Sequence, residues 1–196
     1  EQSEIVNMLK QQSLKLQKLI EDLLSFSTLE IDSQRMATEP VALDQMIREV
    51  SANHKLAARS RSVELRLKLE PVVVSGDREK LRTVVDNLLS NAVKYTPDKE
   101  YVRISLACRD GAAVIDVADT GPGIHPDERD KIFAAFYQGR ARSAGPVKGS
   151  GLGLSIAREL IHLHHGTIEI IDGNGGAHFR VTLPDASEGG ARNDPH

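Results

Sequence analysis

Three short segments of this chain carry residue types that together could hold a nucleotide. The first runs from Asn87 to Asn91 and has two amides four residues apart; the second, 119–124, joins a carboxylate to two glycines; the third, 149–153, contains three glycines. An amide oxygen can enter a magnesium shell, a carboxylate can accept a hydrogen bond from the amine of a base, and a glycine-rich helix start can receive phosphates. Each segment alone is weakly specific, and their combination predicts a nucleotide pocket.

The first two segments also have ordinary explanations. On a helix, Asn87 and Asn91 project from the same face, but two solvent-facing amides would show the same spacing, since Asn is common on exposed surfaces. Asp119 follows an apolar strand pattern, and the Asp-Thr-Gly-Pro-Gly sequence that it opens also suits a simple capped turn. A role in binding for either one therefore depends on the other segments.

The third segment lies in a locally basic stretch of an acidic chain. No acidic residue occurs between Lys131 and Glu159, and the net charge of the chain is −3. A dinucleotide-binding fingerprint is disfavoured because Leu154 stands where its last glycine should be and a loop precedes the glycines, and a P-loop is disfavoured because no Gly-Lys-Ser/Thr occurs. Phosphate at a helix N-terminus is the expected ligand. The basic residues of this stretch are Arg140, Arg142, Lys148 and Arg158.

The elements that would position these residues alternate between strands and helices. An apolar stripe at positions 81, 84, 85, 88, 89 and 92 predicts a helix that leaves the two amides outside the stripe, and Asp77 can cap it. Alternating apolar and polar residues predict strands. The expected helices are 44 to about 59, 77–96, 126–136 and about 152–165; the expected strands are 63–69, 72–74, 101–108, 112–118, 167–171 and 178–183, with a hairpin turn at 109–111.

The N-terminal part has a different pattern. From Ile5 to about Phe26, apolar residues recur at coiled-coil spacing, which favours a bundle helix that needs a partner, although an ordinary core-packing helix remains open. Pro40 disfavours helix at the residue before it and marks a hinge. We expect a helix within residues 1–38, a globular domain over 39–184 and a flexible tail over 185–196. Because Glu1 begins the chain inside a helical pattern, we expect a longer parent protein.

The composition narrows the class of protein. With 196 residues, 40% of them hydrophobic and 27% charged, the chain can form one substantial core in a soluble globular protein. Its negative net charge argues against binding nucleic acid through a broad basic surface. The single cysteine, Cys108, fits a reducing compartment and a cytoplasmic location. No apolar run is long enough to span a bilayer, so any membrane anchor would belong to preceding parts of the parent, expected in the bacterial inner membrane.

Four ordered segments closely resemble the N, G1, F and G2 boxes of sensor histidine kinases. They are residues 86–96, 119–124, 132–138 and 149–154, and the resemblance covers roughly residues 40–184. The N-terminal helix resembles the second helix of that family's dimerisation and phosphotransfer domain. The resemblance implies an α/β (α+β) two-layer sandwich of the Bergerat type, in which a mixed sheet carries helices on one face, preceded by a long bundle helix.

The resemblance also implies a role for each matching residue, with ATP and Mg²⁺ as the bound groups. Asn87 would be the magnesium ligand, and Asp119 would accept a hydrogen bond from the adenine amine. The loop from Gln138 to Lys148 would be a mobile lid over ATP, anchored by Phe133 and Phe136. The remaining residues expected to bind ATP are Asn91, Lys94, Tyr95, Gly121, Gly123, Ile124, Arg140, Arg142, Lys148, Gly149, Ser150, Gly151, Leu152 and Gly153.

The resembled family transfers the γ-phosphate of ATP to a histidine, and this chain departs from it there. None of its seven histidines is followed by an acidic residue, as the family's acceptor is, so we expect the acceptor on a helix outside the chain and no autophosphorylation. His162, His164 and His165 are expected to be solvated residues near a helix end. Thr83 stands where hydrolysing relatives have a glutamate, which predicts slow hydrolysis.

The resemblance implies two protein partners. These are a second kinase protomer, which would bind through the N-terminal helix, and the receiver domain of a response regulator; no nucleic acid is expected. Two other classes stay open at this point. One is a noncatalytic module that senses nucleotide or switches partners, and the other is an ATP-hydrolysing conformational machine.

Overall fold

The computed structural model describes residues 36–140, 150–172 and 175–188, together with positions 5, 6, 9, 13, 16, 17, 20, 23 and 24. These N-terminal positions are all helical and exposed, in agreement with a predicted N-terminal helix. Seven of them carry large apolar side chains that are 50–62% exposed. A helix with so much exposed apolar surface has a face available for a partner.

The described domain contains eight strands, three α-helices and one 3₁₀ turn. In chain order they are β1 Glu39–Ala42, α1 Leu43–Ser60, β2 Glu64–Leu69, β3 Val72–Gly76, α2 Arg78–Tyr95, β4 Tyr101–Arg109, β5 Ala112–Asp119, the 3₁₀ turn Pro126–Glu128, α3 Gly153–Leu163, β6 Thr167–Ile170, β7 His178–Leu183 and β8 Ser187–Glu188.

The main sheet has five strands in the order β2-β4-β5-β7-β6. β2 and β4 are parallel, and the other neighbours are antiparallel. Along β4 and β5 buried residues alternate with more exposed ones, so one face of the sheet enters the core and the other faces solvent. The buried stripes of all three helices join that core. The predicted two-layer sandwich with a mixed sheet is confirmed.

A second sheet has three strands in the order β1-β3-β8. It adds residues to the predicted domain at both its N-terminal and its C-terminal end. β1 was not predicted, because Pro40 suggested only a hinge; Pro is tolerated here because β1 is an edge strand. At the other end, Ser187 pairs with Val73, within the segment predicted as a flexible tail. The folded domain therefore continues past residue 184.

The predicted helix over 126–136 was wrong. The structure has only the 3₁₀ turn Pro126–Glu128, followed by four-residue turns in which the N–H of Lys131 donates to the Glu128 carbonyl and the N–H of Ala134 to the Lys131 carbonyl. Phe136 has a positive φ of 64°, which an α-helix does not allow. These turns bury Phe133 and lead to the start of the predicted lid.

Both ends of α2 are capped, which fixes the helix that carries the amides. Asp77 accepts a hydrogen bond from the Lys80 N–H at 3.1 Å, as predicted for its N-cap. At the other end, the guanidinium of Arg61 donates to the carbonyls of Val93 at 2.7 Å and Thr96 at 2.5 Å. A cation that bonds the last carbonyls stabilises a helix C-terminus.

His164 departs from the prediction of solvated histidines near the end of α3. Its ring is buried: Nδ1 donates to the carbonyl of Leu160 at 2.7 Å, and Nε2 accepts from the Asp77 N–H at 3.0 Å. A Cβ on Gly76 would lie 2.8 Å from this ring. His164 therefore ties the end of α3 to the cap of α2, whereas the histidines at 162 and 165 are exposed.

Among the described residues, no helix combines the length and the apolar character that crossing a membrane requires.

Candidate functional site

Asn87 lies at a contact between α2 and the start of α3. Its side chain is buried, and a Cβ placed on Gly153 would be 3.2 Å from its Oδ1 atom. The two segments predicted to bind metal and phosphate therefore meet in space, through an asparagine and a residue that lacks a side chain. The alternative of a solvent-facing amide is wrong for Asn87, while Asn91, one turn later, is partly exposed.

Asp119 ends β5 with its carboxyl group held by backbone donors. Oδ1 accepts from the N–H of Gly121 at 2.8 Å and of Ala177 at 3.0 Å, and the backbone of Asp119 also donates to the Ala177 carbonyl. No described residue donates to Oδ2. Burial raises the pKa of this carboxyl, although the two N–H groups favour its charged form. The arrangement presents one oriented acceptor oxygen to a ligand.

Glycines let other backbone segments approach Asp119 closely. A Cβ on Gly121 would lie 2.7 Å from the carbonyl oxygen of Tyr95, so the end of α2 touches the turn after β5. Gly176 has a φ of 71°, and its Cβ would lie 1.9 Å from the Asp119 carbonyl oxygen. Gly123, also with positive φ, contacts Gly176. Only a residue without a side chain fits at 176.

Gly176 was missed by sequence reasoning. The available signal was the sequence Gly-Asn-Gly-Gly at 173–176, directly before the last long strand. Glycine runs are common in ordinary turns, so that signal does not distinguish a turn from a close approach to Asp119.

Gly151 joins the glycine turn to the residues around Phe136. It has a φ of 76°, and a Cβ there would lie 2.7 Å from the carbonyl carbon of Phe136 and 2.8 Å from the oxygen of Tyr137.

The two predicted anchors of the lid differ in the burial of their side chains. Phe133 is buried and meets Phe179 edge to face at 6.2 Å, whereas the side chain of Phe136 is 61% exposed and its backbone makes the contact with Gly151.

Other predicted residues lie around these contacts. Lys94 Nζ lies 3.5 Å from the hydroxyl of Tyr95 and 4.9 Å from its ring centroid, and burial raises the pKa of Tyr95. Ile124 packs against the core. Ser150 Oγ accepts from the N–H of Leu152 at 3.2 Å. Leu152 itself is buried.

The predicted lid is described only at its first residues. The side chain of Arg140 is exposed, and its backbone N–H donates to Glu128. Arg142, Lys148 and Gly149 lie outside the described residues, as does most of the predicted lid from Gln138 to Lys148.

The donor set fits a magnesium ion that is held mainly by a phosphate substrate. Within the part of the chain that the structure describes, no group of three or more His, Cys, Asp or Glu side chains could hold a metal. Mg²⁺ usually keeps several waters and binds through few protein oxygens plus substrate phosphates. Asn87 Oδ1, facing a residue without a side chain, suits such a site.

A cavity of about 430 Å³ opens beside Asp119, toward the solvent-facing side of the sheet. Its lining includes Tyr101, Arg103, Asp172 and His178, and it contains no residue of α2 or of the glycine turn at 150–153. This cavity is a rival location for a ligand of Asp119, distinct from the contact between Asn87 and Gly153.

Comparisons with known proteins find a matching family profile and several similar proteins. The sequence profile of the family described as "Histidine kinase-, DNA gyrase B-, and HSP90-like ATPase" matches residues 76–187. The chain is 37% identical to the sensor histidine kinase TmoS of Ectopseudomonas mendocina, over 93% of this chain and 19% of that protein. It is also 37% identical to the sensor histidine kinase GlrK of Escherichia coli K12, over 94% of this chain and 39% of that protein.

A solved structure shows the same fold. Full-length ShkA in complex with AMPPNP superimposes with a TM-score of 0.81 at 29% sequence identity, covering 95% of this chain and 39% of that one. The chain thus spans well under half the length of TmoS, GlrK and ShkA.

Proposed function

Because the chain belongs to the histidine kinase-, DNA gyrase B- and HSP90-like ATPase family, we propose that it binds Mg-ATP and is the catalytic part of a sensor histidine kinase. The observation that carries the proposal is the meeting of Asn87 with Gly153, together with a carboxyl group at Asp119 whose Oδ2 accepts from no described residue. ShkA, with the same fold, was solved with an ATP analogue.

In the proposed complex, each end of ATP meets a different element. Asp119 Oδ2 accepts a hydrogen bond from the adenine amine, and Gly121 and Gly123 let the backbone approach the ring. The free N–H groups at the start of α3 face the phosphates, favoured by the helix dipole. Asn87 Oδ1 and the phosphates would hold Mg²⁺, which would neutralise phosphate charge.

The γ-phosphate then goes to a histidine and not to water. The hydroxyl of Thr83, four residues before Asn87, donates to the Glu79 carbonyl at 2.9 Å, and a hydroxyl is a poor base near neutral pH. We place the acceptor histidine on a dimerisation helix outside this chain, with a response regulator as the next acceptor. The exposed apolar positions between 5 and 24 would pack against that helix and a second protomer.

Calorimetric titration with Mg-ATP tests the binding step. Asp119→Asn keeps an oxygen for the two backbone donors but places an NH₂ group opposite the adenine amine, so affinity should fall about 30-fold or more. Asp116→Asn is the matched control, since Asp116 lies on the same strand and bonds His178 and Arg180 instead. Equal affinities for Asp119→Asn and the wild type would remove Asp119 from the site.

Labelled ATP tests the transfer step. The chain alone should acquire no stable phosphohistidine and should release phosphate slowly. A stable phosphohistidine on the chain without an added acceptor domain would contradict the external acceptor, and rapid turnover of ATP would favour a hydrolytic machine instead.

A further inference from the structure

The carboxylate of Glu128 is a buried acid that the proposed chemistry does not use. Glu128 ends the 3₁₀ turn and is only 5% exposed, although acids are rarely buried without partners. Its carbonyl oxygen accepts from the N–H groups of Lys131 and Ile132, each at 2.9 Å, so its own backbone is fixed. The side chain therefore extends from a rigid point.

This carboxylate holds the residues at the start of the predicted lid. Oε1 accepts from the Tyr137 hydroxyl at 2.9 Å and from the Arg140 N–H at 2.9 Å. A Cβ on Gly139 would lie 3.4 Å from the same oxygen, so the chain passes directly over it. The hydrogen bond from the Arg140 backbone, with that from Tyr137, lowers the pKa of Glu128, which keeps the carboxylate charged near neutral pH.

A continuous path of contacts connects this carboxylate to the nucleotide site. Tyr137 touches Gly151, and Gly153, two residues further on, touches Asn87. Arg140 is held by its backbone to the same carboxylate, three residues after the Tyr137 that touches Gly151. A shift of residues 137–140 would move both this arginine and the glycine turn.

We propose that Glu128 is a positioning residue of the nucleotide site, which holds Tyr137 and Arg140 beside Gly151 and thereby sets the affinity for the phosphate end of ATP. The proposal rests on the proposed function. Packing alone does not explain an acid at this position. An apolar residue of similar size would fill the same space but could not accept the hydrogen bonds from Tyr137 and Arg140.

The test compares two nucleotides, ATP and AMP, by competition against a fluorescent nucleotide. Both carry adenine and meet Asp119, but only ATP has the two terminal phosphates. Glu128→Ala should weaken ATP about tenfold, because residues 137–140 lose the acceptor that positions them and only part of that loss reaches the nucleotide, and AMP about twofold or less. Glu128→Gln, which keeps an acceptor oxygen, should lie between the wild type and Glu128→Ala.

Two further variants make the test decisive. Asp127→Ala removes a neighbouring acid whose carboxylate faces His125, not the loop, and should bind both nucleotides like the wild type. Tyr137→Phe removes one of the two bonds and should weaken ATP about threefold even if Glu128→Ala fails to fold.

Unchanged ATP binding in Glu128→Ala, or in Tyr137→Phe if Glu128→Ala fails to fold, would overturn the proposal, as would equal losses for ATP and AMP. Failure of the wild type to bind ATP would instead overturn the proposed function.

Discussion

Gly176→Ala should damage both the fold and the nucleotide site, because two penalties combine at this position. The φ of 71° is strained for a residue with a side chain, and the new Cβ would lie 1.9 Å from the Asp119 carbonyl oxygen. The neighbouring Gly175 separates the two effects, since it has a φ of 85° and nothing within 4 Å of its Cβ position. Gly175→Ala therefore carries the strain without the collision.

The expected magnitudes follow from these contacts. A left-handed residue with a side chain costs about 1–2 kcal/mol, which is the full expectation for Gly175→Ala. At Gly176 the two atoms must also separate by roughly 1 Å to become tolerable, and such overpacking adds about 1–3 kcal/mol. The same shift would pull Asp119 away from its bond with Ala177. Loss of an oriented charged acceptor should weaken ATP about 30-fold.

Two assays read these effects separately. Denaturant unfolding should place Gly176→Ala about 2 kcal/mol or more below Gly175→Ala in free energy of unfolding. Calorimetry should show lost Mg-ATP affinity only for Gly176→Ala. If the two variants match in both stability and affinity, the close approach to Asp119 does not govern the site, and the reasoning is refuted.

The remaining predictions concern acidity and the two ends of α2. Because burial raises the pKa of Asp119, ATP affinity should fall as the pH drops through that raised value. Asp119→Asn should stabilise the empty protein at neutral pH, and unfolding titrations should show this gain shrink as the pH drops through the raised folded pKa and vanish below about 3.9, where both folded and unfolded carboxyls are protonated; no gain at neutral pH would contradict it. Arg61→Ala should lower the free energy of unfolding by about 3 kcal/mol, because the carbonyls at the end of α2 lose a charged donor; a loss below about 1 kcal/mol would count against that cap. His164→Leu should cost about 2 kcal/mol in denaturant unfolding by leaving the Asp77 N–H unpaired, with ATP affinity changed about twofold or less; a large loss of affinity would contradict its purely structural role.

Elements with a periodic apolar pattern could be predicted from the sequence. Elements whose conformation depends on contacts with another segment of the chain could not. The stripe from Leu81 to Ala92 and the alternation in β4 and β5 specified their elements, since burial on one face requires that spacing. The edge strand β1 contains a proline, and its strand conformation comes from pairing with β3. The segment after Glu128 has helix-forming residues, but its turns are set by burial of Phe133 and by the bonds of Tyr137.

The residues of the candidate site divide in the same way, into those recognisable by their type and those defined by contacts in the folded chain. Asn87 and Asp119 stood out because their types and neighbours match a known chemistry, and the structure places them at α2 and at the end of β5 as expected. Gly176 and His164 contact residues distant in sequence, and Glu128 bonds residues 9 and 12 positions later across irregular turns. Nothing in the spacing of these three residues indicates those partners, which are visible only in three dimensions.

A crystal structure of this chain with Mg²⁺ and a non-hydrolysable ATP analogue tests the central claim most directly. We expect the adenine amine within hydrogen-bond distance of Asp119 Oδ2, Asn87 Oδ1 in contact with the metal, and the phosphates facing the N–H groups of Gly151 and Gly153. A nucleotide bound instead in the cavity lined by Arg103 and His178, with Asn87 away from the metal, would contradict it.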